Sequence, residues 1–137
     1  MKKLIFMVAV AIVSIASAFA QNASTTTKPE KQTEVVVPVY KLFPTTNMWI
    51  FLKLNTSTGL IKMVQYSMDD ANRGEVPINF FPLASGEDAI PGRFNLYATQ
   101  NMWTFILLDE VDGRTWQVQW SLNGTQGIVP ISGDYTL

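Results

Sequence analysis

Thr45-Thr46-Asn47-Met48-Trp49-Ile50-Phe51-Leu52-Lys53-Leu54-Asn55 returns as Thr99-Gln100-Asn101-Met102-Trp103-Thr104-Phe105-Ile106-Leu107-Leu108-Asp109. Extended in both directions, residues 39–68 align without a gap on 93–122 at a constant offset of 54, with eleven of thirty positions identical. One deleted residue later, Gly74-x-Val76-Pro77-Ile78 matches Gly127-x-Val129-Pro130-Ile131. Self-similarity at a fixed period is the signature of a unit used more than once. The reading is a tandem duplication, with repeat 1 at 39–78 and repeat 2 at 93–131.

Each unit reads as strands. Residues 48–54 and 102–108 are long and aromatic-rich, 60–68 and 114–122 alternate, and 40–43 and 94–97 are short and apolar. The fourth stretch, 76–79 or 129–132, carries a Pro that cannot donate to a ladder, which points to an edge or a bulge. The loops Asn55-Thr56-Ser57-Thr58-Gly59 and Asp109-Glu110-Val111-Asp112-Gly113 open on a turn-capping side chain and close on Gly. A four-residue loop places Leu107 across from Trp116, Phe105 from Val118 and Trp103 from Trp120. In the first unit it places Trp49 across from Tyr66 and Phe51 from Val64. A slip of one residue would mix apolar and polar faces. Residues 48–54 and 102–108 are apolar on both faces and are expected to be central. The expected fold is all-β: two pseudo-twofold related repeats of about four antiparallel strands, forming one barrel or sandwich. Residues 35–39 are a candidate extra strand, and no amphipathic helix is evident beyond residue 20.

The N-terminus has a different character. Lys2 and Lys3 precede an apolar run broken only by Ser14, and Ala18-Phe19-Ala20 is a small-x-small cleavage pattern. The run is shorter than the roughly 20 residues a spanning helix needs. Residues 1–20 therefore read as a signal peptide and 21–34 as a flexible polar leader. Residues 35–137 form a single β domain, exported to the periplasm or beyond the cell, with no membrane span after cleavage. Without Lys2 and Lys3 the chain has eight Lys and Arg against eleven Asp and Glu, a net charge of −3. It has no basic run to neutralise phosphates, so nucleic acid is not expected as a partner.

The chain has neither Cys nor His. Disulfides, the usual zinc sites and Ser-His-Asp or Cys-His catalysis are excluded with them. Acidic residues are the remaining catalytic candidates: Asp69-Asp70, Glu87-Asp88 and Asp109-Glu110-x-Asp112, all in expected loops. The last group offers weak Ca2+ ligation as its chemical reading and a plain turn as its structural one. Turn chemistry alone accounts for Asp and Gly there. No cofactor, no metal and no catalytic residue is expected.

Trp49, Trp103, Trp116 and Trp120 offer either core packing or sugar stacking. Core is the expectation for Trp49, Trp103 and Trp120. Trp116 has Lys62 as its repeat equivalent, so the common fold does not demand an aromatic there. It is expected to be partly exposed and, with Gln117 and Gln119, forms the candidate ligand site. Gln65, Ser67 and Ser121 extend a polar stripe suited to hydroxyl groups.

The motif Leu108-Asp109-x-x-x-Gly113-x-x-Trp116 is similar to hairpins of β-propeller blades, although two units are too few for a propeller. The stretches Tyr97-Ala-Thr-Gln-Asn-Met-Trp-Thr-Phe-Ile-Leu-Leu-Asp109 and Gly113-Arg-Thr-Trp-Gln-Val-Gln-Trp-Ser121 resemble small, exported, uncharacterised tandem-repeat β-proteins of Gram-negative gut bacteria. That resemblance implies a shared fold and no activity. The functional expectation is a non-catalytic exported binding module with a protein partner, or alternatively a carbohydrate-binding module. The intact mass of exported protein is expected to correspond to a chain starting at Gln21; a retained N-terminal peptide contradicts the signal reading.

Overall fold

The computed structural model describes residues 34–133. The expected signal peptide, 1–20, and all but the last residue of the expected polar leader, 21–34, lie outside the described residues. Eight strands follow in order: β1 Tyr40–Pro44, β2 Ile50–Asn55, β3 Ile61–Gln65, β4 Gly74–Pro77, β5 Phe94–Ala98, β6 Thr104–Asp109, β7 Thr115–Gln119 and β8 Gly127–Pro130. Two single 3-10 turns, Asp70–Asn72 and Gly86–Asp88, are the only helical elements among the described residues. The class is all-β, as expected. Residues 35–39 form no strand; they approach the body as coil, and the Pro38 and Val39 carbonyls accept bonds from Thr56.

The strands form two antiparallel meanders, β1-β2-β3-β4 and β5-β6-β7-β8. No single barrel closes among the described residues, so that half of the expectation is corrected. The registers repeat at the sequence offset: Phe51 lies across from Val64 and Phe105 from Val118, Leu54 from Ile61 and Leu108 from Thr115. Leu107 faces Trp116, as the four-residue loop requires. The loops themselves match. Asn55 and Asp109 each accept two backbone N–H groups through Oδ1, at 3.0 and 3.2 Å in both. Gly59 and Gly113 close them at φ of 76° and 74°, a conformation Gly adopts without a Cβ penalty. Pro77 and Pro130 lie in β4 and β8, at the outer edges of the sheets.

Both sheets contribute to one apolar cluster, but from opposite faces of the repeated unit. In the first sheet the buried set is Ile50, Leu52 and Leu54 of β2 with Ile61 and Met63 of β3. In the second it is Phe105 and Leu107 of β6 with Trp116 and Val118 of β7, joined by Phe94 and Leu96. The repeat equivalents of Phe105 and Leu107 are Phe51 and Lys53, on the other side of β2 from Leu52 and Leu54. Successive side chains of a strand point to opposite faces, so the front of one unit packs on the back of the other. A twofold relation would bury the same face of both units. The expected pseudo-twofold arrangement therefore does not fit the burial pattern.

Thr56 pins the sheets together at this junction. It is fully buried, its carbonyl accepts the Phe94 N–H at 2.8 Å and its hydroxyl accepts the Gly92 N–H at 3.0 Å. Buried backbone groups must find such partners or carry a desolvation penalty.

Opposite-face packing makes equivalent positions energetically different. Trp116→Ala and Trp120→Ala are each expected to lower stability by about 3–5 kcal/mol, the usual cost of truncating a buried Trp. Alanine at the equivalents Lys62 and Tyr66 is expected to cost about 1 kcal/mol or less. Equilibrium denaturation of the four variants checks this, and equal losses within each pair contradict it.

Candidate functional site

The Asn-Met-Trp turns are built identically. Thr45 and Thr99 each bond through Oγ1 to the Asn carbonyl two residues on, at 3.1 Å in both. Asn47 and Asn101 each accept the following Trp N–H through Oδ1 at 2.9 Å. This bonding presents Trp49 and Trp103 at corresponding corners of the two sheets. Neither is core, contrary to expectation: Trp49 is 50% exposed and Trp103 is 38% exposed. The reason is that each indole stacks on the outer side of its cross-strand partner, Trp49 on Tyr66 at 5.5 Å and Trp103 on Trp120 at 4.8 Å between ring centres. The partner rings bond alike, Tyr66 Oη to the Met48 carbonyl and Trp120 Nε1 to the Met102 carbonyl. Trp120 is fully buried, as expected.

Trp116 reverses the sequence reading. It is 6% exposed, packed beside Phe94 with ring centres 6.3 Å apart, and the Arg114 guanidinium lies 5.3 Å from its ring centre. Equivalence with solvated Lys62 misled, because the two positions lie on the same side of their strands while opposite sides are buried. Gln117 is exposed on the far face of β7, and Gln119 with it. The expected trio is thus divided: Gln117 and Gln119 border a shallow concavity of about 320 Å³ with Gln126 and Val129, while Trp116 lies in the core. The polar stripe is divided too, since Gln65 sits across from Ile50 on the core side of the first sheet.

The solvent face of the first sheet was missed. It carries Tyr40, Leu42, Trp49, Phe51, Val64 and Tyr66, every one the equivalent of a residue on the core side of the second sheet. The signal was present in the repeat: an apolar set kept in both copies on a face that only one copy buries. Lys53 and Lys62 interrupt the face and share Glu75, whose carboxyl the Lys53 hydrogen bond holds low. A concavity of about 420 Å³ opens here, lined by Tyr40, Lys53, Asn55, Leu60 and Lys62.

The acidic loop is structural. Arg93, itself buried, reaches Asp109 through Nε at 3.1 Å and Nη2 at 3.0 Å, and Asp112 at 2.6 Å. Arg114 adds a bond to Asp109 at 2.8 Å. Both Asp109 oxygens are therefore taken by guanidinium groups and turn N–H groups. Among the described residues no three acidic side chains gather as a metal-holding group, and no helix is long and apolar enough to cross a membrane. Asp69 caps its 3-10 turn through the Ala71 N–H, and Asp70 pairs with Arg73.

No family model, curated protein or solved structure matches this chain.

Burial by itself pushes the Asp109 carboxyl up. The bonds from Arg93, Arg114 and the Asp112 and Val111 N–H groups outweigh it and hold the group at about 2, below its ordinary 3.8. A depressed folded value means the stabilisation is complete above the unfolded pKa and disappears as pH falls through the folded one. Stability is expected to drop by about 2 kcal/mol between pH about 4 and pH about 2 from this group. Asp109→Asn is expected to flatten that slope and to cost about 3 kcal/mol at neutral pH, because it removes the one buried carboxylate that Arg93 and Arg114 share and leaves them only the half-exposed Asp112. Denaturation curves across the pH range check both.

Proposed function

We propose that this chain is an exported, non-catalytic interaction module that engages a protein partner through the open aromatic face of its first sheet. The single observation carrying this is the exposure of that face: Tyr40 at 61%, Leu42 at 59%, Trp49 at 50% and Tyr66 at 46% lie on the same side of the first sheet. Lys53 and Lys62 sit on the inner strands of this face, with Leu42 beside Lys53 and Glu75 across from Val64, so exposed apolar side chains flank a central charged cluster; exposed apolar area of this extent marks an association surface. Aromatic side chains supply large contact area at low conformational cost, and they dominate the energetics of such surfaces. The absence of His and Cys, and the engagement of Asp109 and Asp112 by arginines, supports a binding role over catalysis. The export reading rests on the N-terminal twenty residues, and the resemblance to small exported repeat proteins agrees with it. The two sheets are read as copies of one duplicated unit stacked front to back, a sandwich-like pair without a twofold axis.

One observation favours the carbohydrate alternative. A concavity of about 230 Å³ beside Trp49 is lined by Gln65, Tyr66, Ser67 and Asn72, an aromatic surface with hydroxyl-reading groups.

Intrinsic tryptophan fluorescence during titration with a panel of oligosaccharides separates the readings. No saturable change is expected. A saturable change that Trp49→Ala abolishes without loss of thermal stability replaces the protein-partner reading with the carbohydrate one.

A further inference from the structure

The open face of the first sheet is the sequence equivalent of a face that this same chain buries. Tyr40, Leu42, Trp49, Phe51, Val64 and Tyr66 correspond to Phe94, Leu96, Trp103, Phe105, Val118 and Trp120. In the second sheet five of these, Phe94, Leu96, Phe105, Val118 and Trp120, join the apolar cluster shared with the first, and Trp103 stacks on Trp120 at its edge. The converse holds on the other side. The solvent face of the second sheet, with Tyr97, Ile106, Leu108, Gln117 and Val129, corresponds to the Phe43, Leu52, Leu54, Met63 and Val76 side of the first, which faces the core. The chain thus ends in two unlike surfaces, and each is a variant of the surface that the other's equivalent already meets.

Packing of this kind does not saturate itself. A front-to-back contact leaves one front and one back open however many units are joined, until rotation closes a ring. The units are four-stranded meanders, and the chain passes from the edge strand β4 of one to β5 of the next. Four-stranded sheets joined in this manner close radially at about four to eight sheets. We propose that a second copy of this chain covers the open face of the first sheet, its own second sheet stacking front to back on it. Two to four copies then close a ring. This rests on the interaction reading above and names the partner.

The internal junction predicts the details of the external one. Within the chain, the Thr56 N–H donates to the Val39 carbonyl at 2.7 Å, and the Thr56 carbonyl accepts the Phe94 N–H at 2.8 Å. The equivalent of Thr56 is Glu110, whose N–H donates to the Arg93 carbonyl at 2.8 Å in the same way. Its carbonyl is then placed to accept the Tyr40 N–H of the next copy, since Tyr40 is the equivalent of Phe94. Tyr40 lines the concavity that holds Lys53 and Lys62. The Glu110 side chain enters beside two lysines that have only Glu75 between them. Replacement of Leu107 and Trp116 by Lys53 and Lys62, and of Thr56 by Glu110, puts opposite charges on the two halves of the external junction. The internal junction has no such pair.

The test uses the mature chain and two single variants, each at a residue more than half exposed: Leu42→Arg on the first open face and Val129→Arg on the second. Circular dichroism and thermal melting establish that both remain folded. Light scattering after size exclusion and native mass spectrometry then give the stoichiometry. The expected wild-type result is one species of two, three or four copies. Each variant alone is expected to be monomeric, and an equal mixture is expected to give a one-to-one dimer, because each variant keeps the face the other has lost. A wild-type chain that stays monomeric at 100-fold varied concentration overturns self-assembly, while the interaction reading stands or falls on the sugar titration. An unaffected Val129→Arg variant, or a mixture that forms no dimer, overturns the front-to-back geometry.

Discussion

Leu52 and Leu54 lie on one side of β2, Phe105 and Leu107 lie on the other side of β6, and both sets belong to the one apolar cluster on which the body is built. Apolar area removed from water contributes roughly 25 cal/mol per Å². A lone four-stranded sheet has nowhere to bury either of its faces. Burying one face of each sheet, at positions on opposite sides of the aligned sequences, goes with differences between aligned residues wherever one is wet and the other dry. The residue pairs that diverge most follow that rule. On the open face Lys62 is half-exposed and Lys53 partly so, and their equivalents Leu107 and Trp116 are core.

Asn55 and Asp109 show the same rule in polar chemistry. Both cap the same turn with the same two N–H bonds. At the partly exposed position a neutral amide suffices. At the fully buried one the side chain is a carboxylate and is met by Arg93 and Arg114. Removing a charge from water is costly unless it is paired, so the arginines accompany the acid. The cluster adds little net stability over an apolar substitute but fixes how Arg93, at the entry to β5, meets the loop after β6.

The open aromatic face gains its meaning from the same source. Exposed apolar residues scattered singly need no explanation. A set that repeats a core face, interrupted on the inner strands by Lys53 and Lys62 where the second sheet has Leu107 and Trp116, and by Glu75 across from Val64, is a surface of mixed apolar and charged character. Trp49 on Tyr66 retains the stacking that Trp103 and Trp120 use at the edge of the core.

Strand identity, loop length and register were legible in the chain alone, because they depend on local patterns. Asn or Asp with Gly four residues on closes the turn, alternation sets the register, and Pro77 and Pro130 mark the edges. The offset of 54 between units was legible for the same reason. Which face of each unit is buried was not. Alternation is symmetric where both sides of a strand are apolar, as in Ile50-Phe51-Leu52 and Phe105-Ile106-Leu107, so nothing local distinguishes inside from outside. Trp116 was read from its equivalence to Lys62, and Trp49 and Trp103 from their equivalence to each other, on the premise that equal positions have equal surroundings. Only the tertiary contact breaks that equality, because a front-to-back junction gives each copy a different neighbour.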